Sequence, residues 1–211
     1  MNDSSPPPAL ASVLYLRLAD FSRQPVAEQA RRRAQLEAAL AVGLDALSAA
    51  DRLVLDAADG LVVVVLANVA GALAAAERCL KAAEGLGVCA GANHGPVVPA
   101  QSEDSGPTLV GDGIRAAQVA AGFAPAGQLL VTRAFREAVA EHAPTRGAEL
   151  REAGVYSDAS VRTHELFRID PDARQRRRRH LLAAGMAGVV LLAGAGAGLR
   201  GTLSEPAAQS V

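Results

Sequence analysis

The sequence predicts an α+β domain with a ferredoxin-like βαββαβ core, followed by one C-terminal transmembrane helix. Three observations carry that reading. Between residues 11 and 98 the hydrophobic period alternates between two and 3.6 in the order strand, helix, strand, strand, helix, strand, which is the split βαββαβ arrangement. Two short apolar runs, 53–56 and 61–66, flank Asp59-Gly60, a dipeptide that favours a two-residue hairpin turn. Finally, the segment from Leu181 to Leu199 contains no charged residue and follows directly on Arg176 to Arg179 and His180.

Each element has its own signal. In Ala11 to Leu18 the alternation puts Leu14, Leu16 and Leu18 on one face and Tyr15 and Arg17 on the other, which places Arg17 away from the core. Val26 to Ala49 is rich in strong helix formers, with Leu36, Ala39, Leu40 and Val42 or Leu44 at helical spacing. The two apolar runs form a hairpin with Asp59 as first residue of a type I′ turn. A helix over 70–83 and a strand over 87–98 complete the core, with helices expected on one face of the sheet. Pro99 to Pro107 reads as a loop, Ile114 to Phe123 as a helix, Gln128 to Val131 as a strand and Thr132 to His142 as a helix. Two last strands are expected over 149–156 and 161–169.

The organisation is then a Pro-rich, disordered N-terminus over 1–11, a domain over 12–170, a basic linker over 171–180, a membrane helix over 181–199 and a short extracytoplasmic tail over 200–211. As a helix the uncharged segment spans about 28 Å, close to a bilayer core of about 30 Å. The Arg run before it, against Arg200 alone after it, places the domain on the cytoplasmic side of an inner or plasma membrane. Gly194 with Gly198, and Ala184 with Gly188, have the small-xxx-small spacing that lets two membrane helices approach. MNDSSPPPAL has neither a basic n-region nor an apolar h-region, so no secretory leader is expected.

Composition narrows the function classes. Half of the residues are hydrophobic but only 3% are aromatic, so the core is packed from Ala, Val, Leu and Gly. A net charge of −1 gives no global attraction to nucleic acid. Cys79 and Cys89 form no CxxC pair and read as small core residues. His94, His142, His164 and His180 are scattered, without metal-ligand spacing. Gly196, Gly198 and Gly201 match GxGxxG, but too little chain follows for a dinucleotide-binding βαβ unit.

Five stretches in fixed order carry more: YLRLADFSRQPVAEQ from Tyr15, DRLVLDAADG from Asp51, GANHGPV from Gly91, GDGIRAAQVAAGFAPAGQLLVTRAF from Gly111 and VRTHELF from Val161. Together they resemble the class III nucleotidyl (adenylate/guanylate) cyclase catalytic domain, in its bacterial form, over about residues 12–170. That family's fold has the same βαββαβ core. The resemblance implies two metal-binding aspartates, because one divalent ion activates the attacking ribose hydroxyl while both stabilise the phosphates. The hairpin aspartate is matched by Asp59, whereas Arg17 stands at the other. On the helix after GDG, the Asn that orients ribose is matched by Arg115, and the Arg that neutralises the phosphate by Val119. The purine-selecting positions are matched by Leu55 and Thr108; Leu55 cannot hydrogen-bond a purine edge.

The resemblance therefore implies a degenerate, membrane-anchored cyclase homology domain with a regulatory or interaction role in signalling. Mg²⁺ or Mn²⁺ is implied only if activity remains, with ATP or GTP as the nucleotide. The expected partners are a second copy or another cyclase-like domain, and the membrane, but not nucleic acid. An active cyclase with a different site, and a structural membrane-proximal protein, are the competing readings. Asp20 is an alternative metal ligand, though it lies past the strand.

Overall fold

A computed structural model describes residues 8–102, 106–170 and 172. The expected Pro-rich terminus up to residue 7, the linker after Asp172 and the membrane helix over 181–199 lie outside the described residues. Among the described residues no helix is long and apolar enough to cross a membrane. Compact units divide between Ile169 and Asp170.

The core runs β1 (Ala9–Leu18), α1 (Val26–Leu44), β2 (Arg52–Ala57), β3 (Gly60–Val65), α2 (Val69–Ala82) and β4 (Val88–Ser102). It is followed by β5 (Gly106–Val110), α3 (Asp112–Phe123), β6 (Leu129–Thr132), α4 (Arg133–His142), the single turn α5 (Pro144–Gly147), β7 (Leu150–Ser157) and β8 (Thr163–Ile169). The main sheet has the order β2-β3-β1-β4-β6-β8-β7. Its first four strands are antiparallel neighbours, and β6 joins β4 in parallel before β8 and β7 return antiparallel. β2-β3-β1-β4 is the strand order of the βαββαβ core.

The period-two alternation of β1 separates two cores. Leu14, Leu16 and Leu18 join Leu36, Leu40 and Leu44 of α1, Leu73 and Ala76 of α2, and Phe135 and Val139 of α4. Ala11, Val13 and Tyr15 face the other way, onto Val62, Val64, and Ala117 and Ala121 of α3. β3 is buried along its whole length because both faces are covered, which explains an unbroken apolar run where a one-sided strand would alternate.

Four expectations are corrected. Helices cover both faces of the sheet, since α3 packs opposite α1 and α2. The stretch 99–107, read as a loop, is largely strand: β4 continues to Ser102, and Val98↔Val110 to Ser102↔Gly106 pair it with β5. α1 ends at Leu44, not at residue 49, where Arg78 Nε and Nη2 donate to Gly43 O at 3.1 and 2.8 Å and Arg52 donates to Leu44 O. These guanidinium groups serve the last carbonyls of a helix that lacks a glycine cap. The hairpin turn is Ala58-Asp59, closed by the pair Ala57↔Gly60, and neither turn residue has positive φ, so it is not type I′. Gly60 has a different reason for lacking a side chain: a Cβ there would lie 1.8 Å from Leu16 O on β1.

Candidate functional site

β1 and β3 run antiparallel with Arg17 opposite Gly60, so the end of β1 lies beside the β2–β3 turn. Leu18 N donates to Asp59 O at 2.8 Å and fixes the turn against the strand end. In that frame the Asp59 carboxylate is engaged on both oxygens. Arg17 Nε lies 3.1 Å from Oδ2, and the Tyr15 hydroxyl donates to Oδ1 at 2.9 Å. Gln118 Nε2 on α3 in turn donates to the Tyr15 oxygen at 3.3 Å. A chain Gln118–Tyr15–Asp59–Arg17 thus crosses from α3 to the hairpin.

The chain has two electrostatic characters. Tyr15 is buried, and its pKa is pushed up to about 12, first by desolvation and then by the hydrogen bond to, and charge of, Asp59. Its phenol is therefore a proton donor to Asp59 throughout the neutral range. Arg17 and Asp59 are each about one-third exposed, at 35% and 33%. Such a partly exposed pair contributes about 1 kcal/mol or less to stability, so its importance lies in what it occupies.

A divalent ion on Asp59 would have to share the carboxylate with that guanidinium. At about 4 Å and an effective dielectric near 20, a unit charge and a doubly charged ion repel by about 8 kcal/mol. A carboxylate in place of Arg17 would attract by a comparable amount. Asp20, the alternative ligand, is exposed, has a left-handed backbone (φ 53) and pairs with Arg23 at 3.2 Å. Among the described residues no group of three or more His, Cys, Asp or Glu could hold a metal ion. The residues present do not fit a two-metal centre.

No family model matches the sequence, and no curated protein matches it. Solved structures do. The guanylate cyclase domain of RhGC from Catenaria anguillulae, solved in complex with GTP, superposes with a TM-score of 0.62 at 13% identity, covering 76% of this chain and 96% of that one. The dimeric guanylyl cyclase domain of the RhoGC fusion protein from the aquatic fungus Blastocladiella emersonii gives 0.59 at 13% identity, covering 76% and 96%. The adenylyl cyclase CyaB from P. aeruginosa gives 0.58 at 11% identity, covering 77% and 94%.

The fold is that of a nucleotidyl cyclase catalytic domain.

Within this cyclase fold the positions singled out from sequence separate into four places. Arg17 and Asp59 meet at the end of β1. Arg115 and Val119 lie one turn apart on α3, Arg115 exposed and Val119 half-buried. Leu55 packs against the core beneath α3, and Thr108 pairs through its backbone with Ala100. Cys79 and Cys89 are free and buried, and burial raises both thiol pKa values, that of Cys79 to about 12. The sequence reading missed Tyr15 as a partner of Asp59 and Gln118 as a partner of Tyr15. For Tyr15 a signal existed, since it stands two residues before Arg17 on the same face of one strand. Gln118 had none, because its reach depends on how α3 lies across β1.

Proposed function

We propose that this chain is a catalytically silent cyclase homology domain, held at the cytoplasmic side of a membrane by the helix over 181–199, that acts as a regulatory or interaction module in signalling. The observation that carries this reading is the Asp59 carboxylate, bound on one oxygen by Arg17 and on the other by Tyr15. Where the resemblance calls for a second metal carboxylate, the chain supplies a cation that forms an ion pair with the first. Arg115 and Val119 add to it: the first is solvent-exposed and the second cannot carry charge to a phosphate. Loss of one such transition-state donor costs about 3 to 4 kcal/mol in other enzymes.

The remaining role in this reading is pairing. The chain associates with a second copy or with another cyclase-like domain, and two anchors side by side reinforce that association.

The test is turnover. Full-length chain purified in detergent is given ATP or GTP with Mn²⁺, and cyclic AMP and cyclic GMP are measured against an Asp59→Asn control. No product above the control is expected; turnover that depends on Asp59 would establish the active-cyclase reading instead.

A further inference from the structure

We infer that the free edge of β2 pairs with the β2 edge of a second copy of this chain, antiparallel about a two-fold axis at Val54, so that one sheet continues into the other. This gives the pairing in the proposed reading a surface. It rests on that reading only for the expectation of a partner, and its test involves no turnover.

The direction of the backbone groups comes first. Leu66 N donates to Asp51 O at 3.0 Å, one step beyond the pair Arg52↔Val65. Hydrogen-bonded pairs alternate along an antiparallel ladder, so Leu53, Leu55 and Ala57 bond to Val64, Val62 and Gly60 of β3. The N–H and C=O groups of Arg52, Val54 and Asp56 therefore point away from β3. β2 ends the sheet, and among the described residues no strand pairs with it on that side.

A free edge is usually blunted by a bulge, a proline or a projecting charge that repels a second strand. β7, at the other end of the sheet, is interrupted between Glu152 and Gly154, and Gly154 has φ 138. β2 instead keeps an unbroken register from Arg52 to Ala57. Leu53 and Val54 are each 43% exposed, and as neighbours on a strand they project to opposite faces. A partner packed on one face would cover one of them; a strand laid along the edge covers both.

The residues of β2 decide for a second copy. Only groups that point outward can exchange hydrogen bonds across a new edge, so Arg52, Val54 and Asp56 must face the same three residues of the partner. One antiparallel register uses them all. It sets Val54 opposite the partner's Val54, and Arg52 opposite the partner's Asp56 on both sides of the axis, with Leu53 opposite the partner's Leu55. Opposite charges facing each other across strands are stabilising. Asp56 is open to such a contact, because 90% of its side chain is exposed although Arg33 already pairs with it. A shift of two residues in either direction puts Val54 opposite a charge and leaves one outward residue beyond the end of the strand.

Disulfide trapping on full-length chain in detergent tests the pairing. Opposed residues of a hydrogen-bonded antiparallel pair have Cα atoms about 5.5 Å apart, within the span of a disulfide, so Val54→Cys should cross-link to its own copy. The natural Cys79 and Cys89 are buried and do not compete. Val155→Cys, at a 65% exposed position on β7, reports random collision and any pairing by the anchors alone. In a glutathione buffer Val54→Cys should form disulfide dimer at least about tenfold faster than Val155→Cys, as thiols held together do relative to thiols that meet by collision. Adding Asp56→Arg sets like charges opposite each other and should slow trapping about tenfold. Adding Arg52→Asp as well restores opposite charges between the copies and should recover the rate, although the contacts of Arg52 with Leu44 O and of Asp56 with Arg33 stay lost. The proposal is overturned if Val54→Cys cross-links no faster than Val155→Cys, if Asp56→Arg leaves the rate unchanged, or if the folded double exchange does not recover it. Should the double exchange fail to fold, the first two comparisons decide.

Discussion

Tyr15 shows how one buried hydroxyl shapes a site that two charged residues only appear to own. Its proton is held by burial and by Asp59, so its pKa is near 12 in the folded chain against 10.0 for an unperturbed tyrosine. Above pH 10 the unfolded chain releases that proton while the folded chain keeps it. The stability it contributes is therefore fully present below pH 10 and is lost as pH rises through about 12. Unfolding by urea between pH 9 and 12 should show this decline, and Tyr15→Phe should flatten it while lowering neutral-pH stability by about 1 kcal/mol through loss of the bond to Asp59. Gly60 is constrained more severely, because a Cβ would meet Leu16 O at 1.8 Å. Gly60→Ala should lower stability by about 3 kcal/mol or more by forcing β1 and β3 apart, measurable by the same denaturation. In the sequence Asp59-Gly60 advertises a hairpin but not this reason for the glycine, since close approach by a third strand is a tertiary fact.

Among the elements, the end of α1 and the β7–β8 turn are held by side chains that local propensity does not reveal. Arg78 bridges from α2 to Gly43 O, and Arg78→Ala should cost about 2 kcal/mol in thermal or chemical unfolding, the magnitude of a lost hydrogen bond to a charged group. In the β7–β8 turn, Asp158 accepts from His164 Nε2 at 3.0 Å and from the backbone N–H groups of Ser160 and Arg162. These bonds, that to His164 foremost, lower its pKa from 3.8 to about 2. Its contribution is present above pH 3.8 and lost as pH falls through about 2, so Asp158→Asn should remove part of the acid-induced fall in melting temperature. The turn also keeps Val161 at φ 59, a conformation that β-branched residues resist. Strands and helices with clear periodicity, such as β1 and α2, were legible within a few residues. The pairing of β4 with β5 was not, because Pro99, Pro107 and the intervening Gly and Ser read locally as breakers.

At the scale of the whole molecule, the βαββαβ core followed from the succession of elements, but the addition of β6, β8 and β7 beyond β4 and the placement of α3 opposite α1 and α2 did not. An amphipathic period shows that α3 packs on the sheet but not on which side, and its close packing there requires Gly91, where a Cβ would lie 2.1 Å from Ala117 O. The same placement brings Gln118 to Tyr15 and completes the chain of contacts on Asp59. The carboxylate and the guanidinium were visible as a substitution in a motif; that they meet, and that Tyr15 takes the remaining oxygen, required the fold. The most direct measurement is a Mn²⁺ titration followed by electron paramagnetic resonance on full-length chain in detergent, comparing the natural sequence with Arg17→Asp and with Asp59→Asn. The account predicts no Asp59-dependent binding in the natural sequence and the gain of such binding in Arg17→Asp. Saturable Mn²⁺ binding by the natural sequence that disappears in Asp59→Asn would contradict it.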